Sequence, residues 1–157
     1  GGLLQAILKL HRKVEGILYD LPSVAEAAKR LWENDETSHR VKIEGGDFFS
    51  AIPSGGDIYI LKHVLHGLDN EQSSRLLKNI ASAIPKEGKL LIIEMIIPGM
   101  NMPSYSKFND LGMMLLSGRG QERRHHEFEQ IISSSGLTMK QVLPAHFGIC
   151  IIEAVKE

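Results

Sequence analysis

Five polar residues have types and places suited to chemistry: Asp20, Asp47, His66, Glu94 and Glu122. His66 is the candidate for proton transfer, since an imidazole titrates near neutral pH. Glu94 and Glu122 are the carboxylates that could orient its ring and favour the imidazolium. The competing use of His66 is as a capping or core histidine, and the chain has seven histidines from which to choose. Asp20 closes a short apolar run, where a carboxylate can accept two hydrogen bonds from a ribose diol. Asp47 follows a second run, Lys62, His63 and His66 a third, and Glu94 a fourth. A helix cap accounts for an acid at any one of these places; the succession along one rim is what suggests a ligand. Gly1 and Gly2 would stand at a strand-to-helix turn, where a backbone approaches a ligand closely.

The elements that must hold these residues follow from pattern. Leu3 to Leu10 has helical spacing, Gly16 to Tyr19 reads as a strand ending at Asp20, and Pro22 opens a helix through Trp32. Arg40 to Glu44 reads as a strand. Asp57 to Leu61 is apolar enough to predict a strand buried on both faces. Glu71 to Ala83 is a helix with Leu76, Leu77, Ile80 and Ile84 on one stripe. Lys89 to Ile93 is a strand ending at Glu94. Ser106 to Ser117 is a helix striped by Phe108, Leu111, Met114 and Leu115. Glu127 to Ser134 is a helix stopped by Gly136. Thr138 to Leu143 and Gly148 to Val155 have no helix between them, which predicts an antiparallel pair at one edge. Alternating strands and helices predict an α/β fold with a mostly parallel sheet and ligands beyond the carboxyl ends of its strands.

Bulk properties narrow the function. At 157 residues, 43% hydrophobic, 24% charged and net charge −1, the chain reads as one ordinary globular domain. It shows no basic stripe for nucleic acid; the run Arg123 to His126, followed by Glu127 and Glu129, reads as a solvated helix start. The single cysteine, Cys150, excludes an internal disulfide, reads as a buried structural thiol, and suits a reducing cytoplasm. No apolar run reaches the roughly 18–20 residues of a membrane span. No metal site is expected. The chain opens on an amphipathic helix with no cap before it, which leads to the expectation of an upstream segment.

Several strings are more specific than any single residue. Asp20-Leu21-Pro22-Ser23-Val24, Gly46-Asp47-Phe48-Phe49, Leu61-Lys62-His63-Val64-Leu65-His66 and Leu91-Ile92-Ile93-Glu94 occur in order. Asp110-Leu111-Gly112-Met113-Met114 and Gly120-Gln121-Glu122-Arg123 follow them. Together they resemble the S-adenosylmethionine-dependent O-methyltransferases of the caffeate, flavonoid and hydroxyindole type, with bacterial relatives acting on polyketides and carotenoids. The resemblance runs from Gly1 to Val155.

It implies a class I, Rossmann-like methyltransferase fold with an antiparallel last strand, whose first strand and most of whose glycine loop precede residue 1. It also implies that an amino-terminal dimerisation domain is absent, and that the full-length protein is a homodimer. By the same resemblance Gly1 would lie beside the methionyl part of S-adenosyl-L-methionine, and Asp20 would hold the ribose. Asp47 and Phe48 would bind and cover the adenine, and Lys62 would help fix the cofactor. His66 would be the general base, flanked by Glu94 and Glu122. Met113 would clamp a small hydroxylated substrate, aromatic or polycyclic.

The chain departs from the family pattern at His66-Gly67-Leu68, where the family has an acid and a tryptophan after the histidine. It departs again at Arg124, where the family has a threonine helix cap. Two other readings accompany the methyltransferase: a non-catalytic relative that binds cofactor or ligand, and a nicotinamide-dependent dehydrogenase using Asp20. The collected strings speak against the dehydrogenase. Residues 1–157 alone are expected to bind cofactor weakly or not at all.

Overall fold

The computed structural model describes residues 1–156. The chain divides into two compact units, 1–56 and 57–157.

In the first unit, α1 (Gly2–Leu10), β1 (Gly16–Asp20), α2 (Pro22–Trp32) and β2 (Val41–Gly45) follow in order. Parallel strands cannot be joined by a tight turn, so α2 serves as the crossover. β1 and β2 pair in parallel from Gly16 opposite Val41 to Asp20 opposite Gly45. Pro22 occupies the first turn of α2, where its missing N–H costs nothing. Leu8, Ala25 and Trp32 are buried. Arg40 donates to the carbonyls of Leu8, His11 and Val14, which satisfies acceptors at and beyond the end of α1. Asp35 ties the loop after α2 back to α1 by accepting from Gln5 and pairing with Lys9 at 3.1 Å.

The second unit contains β3 (Ile58–Lys62), α3 (Asn70–Ala83), β4 (Lys89–Ile97), α4 (Tyr105–Ser117), β5 (Arg123–Arg124), α5 (His125–Ser133), β6 (Leu137–Pro144) and β7 (Ile149–Lys156). The sheet order is β3-β4-β7-β6, with β5 added beside the end of β4. β3 and β5 run parallel to β4, whereas β7 runs antiparallel to both β4 and β6. The expected antiparallel pair is therefore present, with β6 at the edge. Leu76, Leu77, Ile80 and Ile84 form the buried stripe of α3, and Phe128, Ile131 and Ile132 that of α5. Leu90, Ile92, Leu137, Ile152 and Ala154 complete the core. Asp69 caps α3 reciprocally: it accepts from Gln72 N at 2.8 Å, and Gln72 Oε1 accepts from Asp69 N at 3.3 Å.

β1–β2 and the β3–β7 strands form separate hydrogen-bonded sheets. The α4 stripe is exposed at Phe108, Leu111, Met114 and Leu115. Two expectations are corrected. β3 is not buried on both faces, for Ile58 and Ile60 are 56% and 37% exposed. β4 does not stop at Glu94 but runs on to Ile97, because β5 and β7 give its last residues partners.

Candidate active site

The turn after β3 carries His66 within the short 3-10 segment Leu65–Gly67. β4 alternates in the sheet, so Glu94 shares a buried face with Leu90 and Ile92. Its side chain has no exposed surface, and its Oε1 accepts from the backbone N–H groups of Leu65 at 2.9 Å and His66 at 3.3 Å. The carboxylate thus fixes the backbone that presents the imidazole.

Glu122, from the segment between α4 and β5, reaches the same ring. Its Oε1 stands 3.1 Å from His66 Nδ1 and accepts from Asn109 Nδ2 at 2.5 Å. Its backbone N–H donates to Asp110 Oδ1 at 2.8 Å. Glu94 Oε2 lies 3.7 Å from His66 Nδ1 and 3.5 Å from His63 Nδ1. The two imidazoles stack with centroids 5.3 Å apart. Among the described residues, Glu94 Oε2 and Glu122 Oε2 are buried without a hydrogen-bond donor.

The electrostatics follow from this packing. The hydrogen bond to Glu122 raises the pKa of His66, against burial, which lowers it. Burial raises the pKa of Glu94, opposed by the nearby His66. With Nδ1–H donated to a carboxylate, the neutral ring carries its lone pair at Nε2. Nε2 is then the atom that can accept a proton from a ligand.

Arg123 is the residue that sequence reasoning misplaced. It is not solvated but 1% exposed. Its guanidinium donates to Leu65 O at 2.6 Å, Leu68 O at 2.7 Å, Ser73 Oγ at 3.0 Å and Asn70 Oδ1 at 3.1 Å. Burial lowers its pKa, opposed first by Glu94. The Gly-x-Glu-Arg string held the signal, but the following Arg-His-His made the run look like a charged surface. Arg124, in place of a threonine cap, receives no side-chain cap; Glu127 instead accepts its backbone N–H at 2.7 Å. Asp69, two places beyond the departure at Gly67, is occupied as the cap of α3 rather than placed beside His66.

Other predicted positions are distributed as follows. Asp20 and Asp47 come to one rim of the first unit, where Gly46 N donates to Asp20 O at 2.8 Å. Asp20 Oδ1 accepts from Leu21 N at 2.8 Å. Both oxygens of Asp47 are engaged locally, by Phe49 N at 2.8 Å and Ser50 Oγ at 3.1 Å, so it shapes the loop that carries Phe48. Phe48 meets Phe49 edge-on at 4.6 Å. Gly1 packs so closely that a Cβ there would stand 2.9 Å from Leu18 Cδ2. Lys62 is exposed at the end of β3, on the face of Ile58 and Ile60. Met113 is half-buried on α4, one turn beyond Asn109. Cys150 is only partly buried, and burial raises its thiol pKa, so it is a poor nucleophile.

The fold and the His66 cluster together describe an α/β domain with a buried histidine–carboxylate site, and comparison with known proteins identifies its family. The O-methyltransferase domain model matches residues 1–138. The chain is 41% identical over 154 residues to phenazine O-methyltransferase of Lysobacter antibioticus, covering 98% of this chain and 45% of that protein. It superposes on the crystal structure of LaPhzM with a TM-score of 0.95 at 40% identity, covering 100% of this chain and 47% of that one. An O-methyltransferase from neocarzinostatin biosynthesis, solved with S-adenosylmethionine and 2-hydroxy-5-methyl naphthoic acid, gives 0.90 at 30% identity over 100% of this chain and 46% of its own. The chain belongs to the O-methyltransferase domain family, and its fold is the Rossmann-like class I methyltransferase fold. It spans about half the length of the relatives it matches.

Proposed function

We propose that this protein transfers a methyl group from S-adenosylmethionine to a hydroxyl of a small aromatic or polycyclic molecule, with His66 as general base. The observation that carries the assignment is the fixing of His66 Nδ1 against Glu122 at 3.1 Å, which leaves Nε2 to accept a proton. Glu94 and Glu122 orient the ring, and their negative charge stabilises the imidazolium formed as the acceptor loses its proton.

The first unit fits the cofactor's polar groups. Asp20 is exposed at the end of a parallel strand, with a single local donor on Oδ1, which suits a ribose diol. Phe48, on a loop fixed by Asp47, suits an adenine face. Gly1 and Lys62 are assigned to the cofactor with them on the family resemblance, and Met113 to the substrate. The sulfonium supplies an electrophilic methyl when bound. The protein's own part is to exclude water, align the acceptor oxygen and take its proton. Alignment contributes the greater share, about 7–11 kcal/mol, with general-base action adding roughly 10²–10⁴-fold.

We assign the whole protein as a cytoplasmic homodimer, with residues 1–157 as its S-adenosylmethionine-binding domain. The exposed stripe of α4 supports a partner surface there. No described helix is long and apolar enough to cross a membrane.

A methyl-transfer assay of His66→Ala with a phenolic acceptor tests the base; a rate equal to wild type removes His66 from that role. It also separates the enzyme from a non-catalytic relative, which would show no transfer in either form. Calorimetric titration with S-adenosylmethionine and with NAD separates the methyltransferase from a dehydrogenase.

A further inference from the structure

Glu94 Oε2 has two imidazoles around it and, among the described residues, no hydrogen-bond donor. We propose that His63, His66 and Glu94 form a binding site for a divalent transition-metal ion of the zinc class, which takes His66 out of proton transfer when it binds.

The geometry comes first. The three donor atoms lie within 4.8 Å of one another, with His63 Nδ1 and His66 Nδ1 at 3.5 and 3.7 Å from Glu94 Oε2. A tetrahedral ion with bonds of about 2.0–2.1 Å needs donor pairs roughly 3.3–3.4 Å apart. The two pairs to Glu94 therefore need movements of only a few tenths of an ångström, while the two imidazole donors, within 4.8 Å of each other, close by about 1.4 Å at most. His63 is free to supply most of the adjustment, because its side chain is 33% exposed whereas that of Glu94 is fully buried.

Satisfaction of the buried atom is the second observation. Oε1 is saturated by two backbone N–H groups, yet Oε2 has no donor among the described residues. A buried acceptor without a partner is costly, and a cation at this point removes that cost. Two imidazoles and a carboxylate select zinc-like ions over magnesium or calcium, which prefer all-oxygen shells. This revises the sequence expectation of no metal.

The consequence for chemistry is a matter of tautomers. Coordination at His66 Nδ1 needs the lone pair there, so the neutral ring's single N–H proton moves through solvent from Nδ1 to Nε2. Nε2 then has no lone pair to receive the acceptor's proton. This inhibitory half rests on His66 being the base; the binding half does not.

Metal-free protein is titrated calorimetrically with zinc chloride, with magnesium chloride as control. The expected result is one zinc site that weakens at least tenfold in His63→Asn, a change that keeps a residue tolerant of the left-handed backbone found there (φ 53°). Replacing both His125 and His126 by Asn should leave it unchanged. Cobalt(II) added to the wild type should give the visible absorption of a four-coordinate site, a reading that stands even if a variant misfolds. Absence of zinc binding, or equal affinity in wild type and His63→Asn, overturns the site and leaves a proton as the occupant of Oε2. Zinc binding with undiminished methyl transfer overturns the inhibitory half, and the His66→Ala rate decides separately whether His66 is the base.

Discussion

Arg123→Met tests whether the buried guanidinium is what holds the His66 turn. The change keeps a long side chain but removes four hydrogen bonds, two of them to the carbonyls of Leu65 and Leu68 at 2.6 and 2.7 Å. Bonds from a charged donor are each worth about 1.5–3 kcal/mol. Their sum is not the expected loss, because burying a guanidinium itself costs several kcal/mol. Leu65 O also keeps a bond from Leu68 N at 3.1 Å. What is lost besides is the guanidinium's field on Glu94 and Glu122, both with side chains fully buried. Breaking a buried charge cluster by removing one member costs about 3–5 kcal/mol, and we expect a loss near the lower end. Urea unfolding followed by far-ultraviolet circular dichroism should show a lower midpoint at unchanged slope. Arg123→Lys should recover less than half the loss, because an ammonium cannot span the same acceptors. Arg119→Met should cost less than about 1 kcal/mol, since its pair with Asp69 is exposed and 3.6 Å long. A loss at Arg123 no greater than at Arg119 would refute the reasoning.

Gly120→Ala and Gly67→Ala should behave oppositely. A Cβ at Gly120 would meet His66 O at 2.5 Å and Gly67 Cα at 3.2 Å, so about 1–3 kcal/mol of stability should go, seen as a lower thermal midpoint. A Cβ at Gly67 meets nothing within 4 Å, so that variant should match wild type or gain up to about 1 kcal/mol in the same measurement. Asp69→Ala removes the reciprocal cap of α3 and should cost about 0.5–2 kcal/mol by urea unfolding. The first unit should show an acid sensitivity that begins at Asp35. Bonds from Thr37, Lys9 and Gln5 hold its carboxyl below the usual aspartate range. The stabilisation is therefore complete above the ordinary value near 4 and is lost progressively as pH falls toward the depressed one. Trp32, the chain's single tryptophan and 5% exposed, reports that unit by fluorescence. Asp35→Asn should flatten the pH dependence of its transition below about pH 4.

Periodicity served well where a segment's partners lie in its own stretch of chain. The stripe Leu76, Leu77, Ile80 and Ile84 on α3 and the pairing of β6 with β7 are of this kind. It failed where burial is decided by distant neighbours. Residues Ile58 to Leu61 of β3 are apolar, yet the face that carries Ile58 and Ile60 stays exposed. Glu94 looked like a strand end because a charge seldom lies within a buried strand; it does so here because two N–H groups of the His66 turn bind it. The burial of Arg123 was masked for a related reason. Two of its acceptors are carbonyls, at Leu65 and Leu68, and a carbonyl leaves no mark on the amino-acid string.

The site therefore depends on backbone as much as on side chains. Glu94 grips the N–H side of the Leu65–His66 turn, and Arg123 grips the carbonyl side of the same segment. Glu94 answers peptide N–H groups of the turn, Arg123 adds a donor to its carbonyls, and each charge lies in the other's field, so neither is buried as an isolated ion. Burial alone would drive Glu94 toward its neutral form, and the two N–H donors and His66 oppose that. A conservative change at either charge should thus disturb the position of His66 before it disturbs the sheet, and the order in which turnover and stability fall would distinguish this clamp from a merely structural pair.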